Sequence, residues 1–146
     1  LLNNTILFGS MFVGQRNNTQ ACVLGSEGPG ACPLWFENTG NVKVDVNLSG
    51  PVSGLWSTVA STNQDYLSYK VGNGSQSGVS YIEALSQLTY AAFPAANANT
   101  TVLKNFSHTD TNDEARFDVN VTVPSSESPG AKTMNLGFTV FHLGSG

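Results

Sequence analysis

Residues 115–123 read ARFDVNVTV. Ala115, Phe117, Val119, Val121 and Val123 alternate with Arg116, Asp118, Asn120 and Thr122. A period of two places the apolar set on one face of a strand and the polar set on the other. Residues 41–49, NVKVDVNLS, repeat the pattern, with Val42, Val44, Val46 and Leu48 against Lys43, Asp45, Asn47 and Ser49. The chain is therefore read as half-buried β-strands.

Working outward, the segment KTMNLGFTVFHL (132–143) turns Met134, Leu136, Phe138 and Val140 inward. Phe141 and Leu143 then make its second face apolar too. Further strands are expected near 5–13, 20–24, 33–37, 65–71, 79–84 and 100–106. Gly-, Pro- and Asn-rich stretches separate them, such as SGPVSG at 49–54, VGNGSQSG at 71–78 and PSSESPG at 124–130. A short helix over 81–91, or around Leu55–Ala60, is the one departure the pattern allows. Many short strands without helical periodicity give an all-β antiparallel sandwich, jelly-roll or Ig-like, as a single domain over 1–146.

Composition narrows the function classes. Apolar residues make up 40% of the 146, enough for a core, while charged residues make up only 11%. Asn, Ser, Thr and Gly must then keep the surface polar. The six Lys and Arg are scattered singly, which excludes a nucleic-acid footprint. No apolar run reaches the roughly 18 residues of a membrane span.

Two features point to export and to a secreted or cell-surface location. The two cysteines, Cys22 and Cys32, flank a turn-forming SEGPG run, so a local disulfide is expected in an oxidising compartment. The fifteen Asn include seven in N-x-S/T sequons, at Asn3, Asn17, Asn47, Asn73, Asn99, Asn105 and Asn120, where chance gives about three. Covalent glycans would also explain a polar surface with few charges. A chain beginning Leu1–Leu2 without Met fits a processed, secreted protein.

A search for chemistry finds little. His108 and His142 are the only histidines, and no nucleophile motif, phosphate loop or dinucleotide fingerprint accompanies them. No enzyme activity and no cofactor are expected. The weak candidate for a cation is DTNDE, where Asp110, Asn112, Asp113 and Glu114 could offer oxygen ligands to Ca²⁺, but it lacks the glycine and spacing of an EF-hand loop. Trp35, Phe36, Leu55 and Trp56 read as core.

The most specific stretch is FENTGNVKVDVNLSG (36–50), in which Asn and Gly suit a tight turn between strands. Together with ILFGSMFVGQRNNT before it and DEARFDVNVTVPSSESPGAK after it, the chain resembles secreted archaeal cell-surface β-sandwich proteins. More distantly it resembles the TasA/camelysin-type jelly rolls of bacterial matrix fibres and archaeal bundling pili. That resemblance implies a structural subunit of an extracellular filament or pilus-like fibre, in which a terminal segment of one copy completes the sheet of the next. The only protein partner would be a second copy of the chain, added head to tail. The N-terminus fits the role, because TILFGSMFV is apolar on both faces and Leu1 and Leu2 extend it to the end. Residues 1–8 are the expected donor segment, with Leu1, Leu2, Ile6, Leu7 and Phe8 in the contact. The alternative for 5–13 is burial between the sheets of its own sandwich. An adhesin or carbohydrate-binding module of a larger surface protein is the alternative function, and a viral capsid jelly roll the third.

Overall fold

A computed structural model describes residues 5–19, 31–75, 80–81 and 83–142. Its strands are β1 (Arg16–Asn18), β2 (Leu34–Glu37), β3 (Val44–Ser49), β4 (Leu67–Asn73), β5 (Ala91–Ala92), β6 (Asn99–Phe106), β7 (Glu114–Thr122) and β8 (Gly137–His142). All pair antiparallel, in two sheets. The all-β expectation holds.

In the first sheet the alternating segment ARFDVNVTV supplies the central strand, β7. On one side it pairs with β4, from Leu67↔Val121 to Asn73↔Ala115, and β5 extends β4. On its other side two short strands lie end to end, β2 against the first half of β7 and β1 against the second. In the second sheet the alternating segment NVKVDVNLS supplies the middle strand, β3, between β6 and β8. Both clean alternations thus became interior strands, where a polar face and an apolar face are each continued by neighbours on two sides.

The apolar faces meet in one cluster. Ala115, Phe117, Val119 and Val121 of β7 are at most 3% exposed and join Leu67, Tyr69 and Val71 of β4 and Val46 and Leu48 of β3. Phe117 is its hub. Its ring stacks on Tyr69 (5.2 Å between centroids, 11° between planes) and meets the edges of Phe138 (5.1 Å) and Phe93 (6.3 Å). Such pairs add about 0.5–1.5 kcal/mol each beyond area burial. Burial pushes the Tyr69 hydroxyl above its ordinary pKa, partly offset by a hydrogen bond with Thr100.

The ENTGN segment is not a hairpin turn. It carries the chain from β2 in one sheet to β3 in the other, with Asn38 as the hydrogen-bonding hub. The Asn38 amide nitrogen donates to the carbonyls of Val42 (3.0 Å) and Phe106 (3.1 Å), and its oxygen accepts from Gly40 N (3.2 Å). Its backbone N–H reaches Asp113 O at 2.9 Å. The side chain ties the crossover to β6 of the second sheet while the backbone N–H reaches the residue before β7 of the first, and only an amide can donate and accept in this way.

Three expectations need correction. Residues 5–13 form no strand, because Gly9 takes a left-handed conformation (φ 65°) that breaks the alternation. Around 79–91 the described residues hold one turn of 3₁₀-helix (Glu83–Leu85) and the short β5, neither a strand over 79–84 nor a helix over 81–91. The polar face of β7 is also not simply solvated. Asp118 is fully buried there, accepting from Thr19 Oγ1 (3.0 Å) and paired with Arg116 Nε (3.0 Å). The expected strand at 20–24 lies outside the described residues.

Candidate functional site: the open edge of β8

The two edges of the second sheet are treated differently. Along β6 the segment around Gln87 seals the sandwich. Gln87 N donates to Val102 O (3.1 Å), and Gln87 O accepts from Val71 N of β4 (2.7 Å). One residue thus stitches the edge strand of the second sheet to β4 of the first, and Ser86 Oγ accepts from Lys104 N at 3.0 Å beside it. Along β8 no such closure exists among the described residues. β8 pairs with β3 on one side, and no described strand pairs with its outer edge.

Register shows which side chains that edge presents. Phe138, Val140 and His142 stand opposite Leu48, Val46 and Val44, so they face inward, while Thr139 and Phe141 stand opposite Asn47 and Asp45 and face outward. Phe138 packs against Phe36 (4.9 Å) and Phe117 (5.1 Å). Two residues further on the cover stops. Val140 is 60% exposed although its neighbour Val46 is 2% exposed on the same face, and Phe141 is 47% exposed on the other. His142 is exposed as well. An apolar strand is therefore open along its edge and, at its far end, on both faces.

A second apolar surface lies on the N-terminal segment. Ile6, Phe8 and Met11 pack against the core, as do Met134 and Leu136. Leu7, Phe12 and Val13 point out, 74%, 81% and 57% exposed. Gly14 N donates to Val123 O (2.9 Å) and Val123 N to Gln15 O (3.0 Å), which docks the end of this segment beyond β7. Of the expected contact residues, Ile6 and Phe8 thus pack half-buried against the chain's own core, and Leu7 is exposed. Leu1 and Leu2 lie outside the described residues.

The other predicted sites are dispersed. Cys32 is disulfide-bonded; Cys22 falls outside the described residues, as does Asn3. Asn73 and Asn99 are exposed, and Asn17, Asn47, Asn105 and Asn120 are half-buried. In the DTNDE stretch the Glu114 carboxylate accepts from Ser75 N (3.0 Å) and Ser75 Oγ, away from the loop. Asp113 is buried, and no group of three His, Cys, Asp or Glu side chains converges among the described residues. Trp35 is buried as core, 4% exposed.

A shallow cavity of about 430 Å³ runs past Trp56, Ser57, Thr58 and Ala95. The polar groups of Trp56, Ser57 and Thr58 are already committed. Trp56 Nε1 donates to Tyr66 O (3.3 Å), and Glu127 accepts from the N–H and hydroxyl of both Ser57 and Thr58. The Lys132 ammonium beside it, with these hydroxyl and backbone donors, holds the Glu127 carboxyl well below the usual range. This is a clamp between two loops. Tyr81 and Tyr90 are pushed up to about 12, chiefly by burial, with Glu83 adding at Tyr81 and Asp118 at Tyr90. Neither phenol ionises at neutral pH.

Comparison with known proteins brings no match: no family model, no curated protein and no solved structure matches this chain. Among the described residues, no helix is long and apolar enough to cross a membrane. The open edge of β8 is the feature on which a functional reading rests. Its sequence signal is Phe141, which breaks the apolar-in, polar-out rule of its strand. Nothing in the sequence marks Val140, which is exposed although its partner Val46 is buried on the same face.

Proposed function

We propose that this chain is a secreted structural subunit whose copies join head to tail at β8 into an extracellular filament. In this reading the two sheets are a jelly-roll or Ig-like sandwich, akin to the archaeal surface proteins and TasA/camelysin-type fibre subunits that its sequence resembles. One observation carries the reading. The edge strand GFTVFH holds no Lys, Arg, Asp, Glu or Pro, and Val140 and Phe141 are exposed on opposite faces of it. Edges that must stay solitary are blunted by charge, proline, bulges or cover. β8 has none of these among the described residues, and its pairing with β3 runs without a register shift.

The two exposed apolar surfaces differ, so a contact between them is heterologous and propagates as an open filament unless the rotation closes. In such a contact the N-terminal surface of one copy (Leu7, Phe12 and Val13, with Leu1 and Leu2 ahead of them) lies along β8 of the next. Main-chain hydrogen bonds would supply affinity, and the uncovered slot at Val140 would take an apolar side chain.

The test is negative-stain electron microscopy of native material beside the double variant Val140→Lys, Phe141→Lys. Filaments from the native protein and dispersed particles from the variant support the reading. Native protein that stays dispersed across salt conditions, or a variant that polymerises as before, rejects it. Because Ile6 and Phe8 pack half-buried against the core, the donor is tested by deleting residues 1–4 together with Leu7→Ser. Normal polymerisation of that variant would leave β8 in place as acceptor and remove the N-terminus as donor.

A further inference from the structure

The sequence offers seven sequons as equals, and the fold does not. Asn73 ends β4 and Asn99 begins β6, and both are exposed. At Asn99 the amide oxygen accepts from Ser49 Oγ (2.7 Å), while the nitrogen makes no hydrogen bond among the described residues. That bond fixes the amide and leaves its nitrogen for substitution. Asn47 and Asn120 sit instead in the middle strands β3 and β7, flanked on both sides. Their amide oxygens are enclosed without a hydrogen-bond partner, and the Asn120 nitrogen points at Ser68 Oγ (3.5 Å). Asn17 uses its oxygen on Asn18 N (2.8 Å), and Asn105 is held in a left-handed conformation (φ 58°) with its N–H on Asp45 Oδ1 (2.8 Å).

We propose that, among the six described sequons, N-linked glycans are carried at Asn73 and Asn99 and not at Asn47 or Asn120. The donor class is a polyprenyl-phosphate-linked oligosaccharide. The Asn Nδ2 forms a bond to C1 of the first sugar, the bond from C1 to the phosphate oxygen breaks, and the displaced amide proton leaves with the lipid phosphate. A glycan needs an open path from Nδ2 to solvent in the folded protein. Asn73 and Asn99 have it, whereas a sugar on Asn120 would have to displace the Ser68 contact at the centre of a sheet.

The arrangement has a spatial consequence. Asn99 stands opposite Ser49, which stands opposite Gly137. It is two strands from β8, roughly 10 Å away, on the side sealed by Gln87. Asn47 is the sequon directly beside β8, opposite Thr139, and its oxygen is enclosed. A sugar at Asn99 is therefore attached to the strand of that sheet farthest from β8. The inference does not depend on what that edge binds.

The full chain, secreted from a eukaryotic host that glycosylates, is purified as the folded monodisperse fraction. Its glycans are then released enzymatically in H₂¹⁸O, and the peptides are read by mass spectrometry. The expected result is label at Asn73 and Asn99 at least tenfold above that at Asn47 and Asn120. The pair Asn73→Gln, Asn99→Gln should lower the mass of the secreted protein by two glycans and leave the circular dichroism spectrum unchanged. Label at Asn47 or Asn120 equal to that at Asn99, or no label at Asn73 and Asn99, overturns the proposal.

Discussion

β6 and β8 flank the same strand, yet one edge is finished and the other is not. β6 is closed because Gln87 uses both halves of its peptide, one toward each sheet. β8 has β3 on its inner side and no described strand on its outer side. A backbone edge left in water costs little, since water satisfies its N–H and C=O groups. Exposed Val140 and Phe141 add an apolar area that burial would stabilise at about 25 cal/mol per Å². Within one small domain, closure of an edge and availability of an edge are opposite uses of the same backbone groups.

The sharpest way to probe this contrast is within β8 itself. Phe138→Ala should destabilise the monomer by about 3 kcal/mol, because Phe138 contacts Phe36 and Phe117 in the core. Denaturant unfolding reads that loss, and a change under 1 kcal/mol would mean that β8 is not packed as described. On the sealed side, Gln87→Pro removes the N–H given to Val102 O and should cost about 1–3 kcal/mol. It should also raise hydrogen exchange along β6. Unchanged exchange there would remove Gln87 as the closing residue.

The clamp at Glu127 sharpens the comparison through pH. Its carboxyl titrates lower in the folded chain than in the unfolded one, because Lys132, Ser57 and Thr58 hold the charged form. The stability this contributes is fully present above about pH 4.5 and is lost as pH falls toward the folded value. Glu127→Gln should therefore lower Tm at pH 7 and flatten the acid limb of the Tm profile. A parallel shift at all pH values would contradict the assignment. The smallest effect belongs to Val140→Lys, which should change monomer stability by no more than about 0.5 kcal/mol. A large loss would show that Val140 is covered after all.

Much of this molecule is determined by local pattern. ARFDVNVTV and, from Val44 on, NVKVDVNLS could be assigned their buried faces at sight, because period two in a strand admits one solution and both strands have neighbours on either side; Val42, read as inward, precedes β3 and is exposed. The sequence equally determined the sparse charge, the two cysteines and the seven sequons. Tertiary structure decided what pattern cannot carry. Gly9 turned an expected strand into a segment that buries Ile6, Phe8 and Met11 and exposes Leu7, Phe12 and Val13. Asp118, polar by pattern, is fully buried because Thr19 and Arg116 partner its charge. Val140, apolar and inward by pattern, is exposed although its partner Val46 is buried on the same face. Alternation states which way a side chain points; only the packing of the two sheets states whether anything is there to meet it.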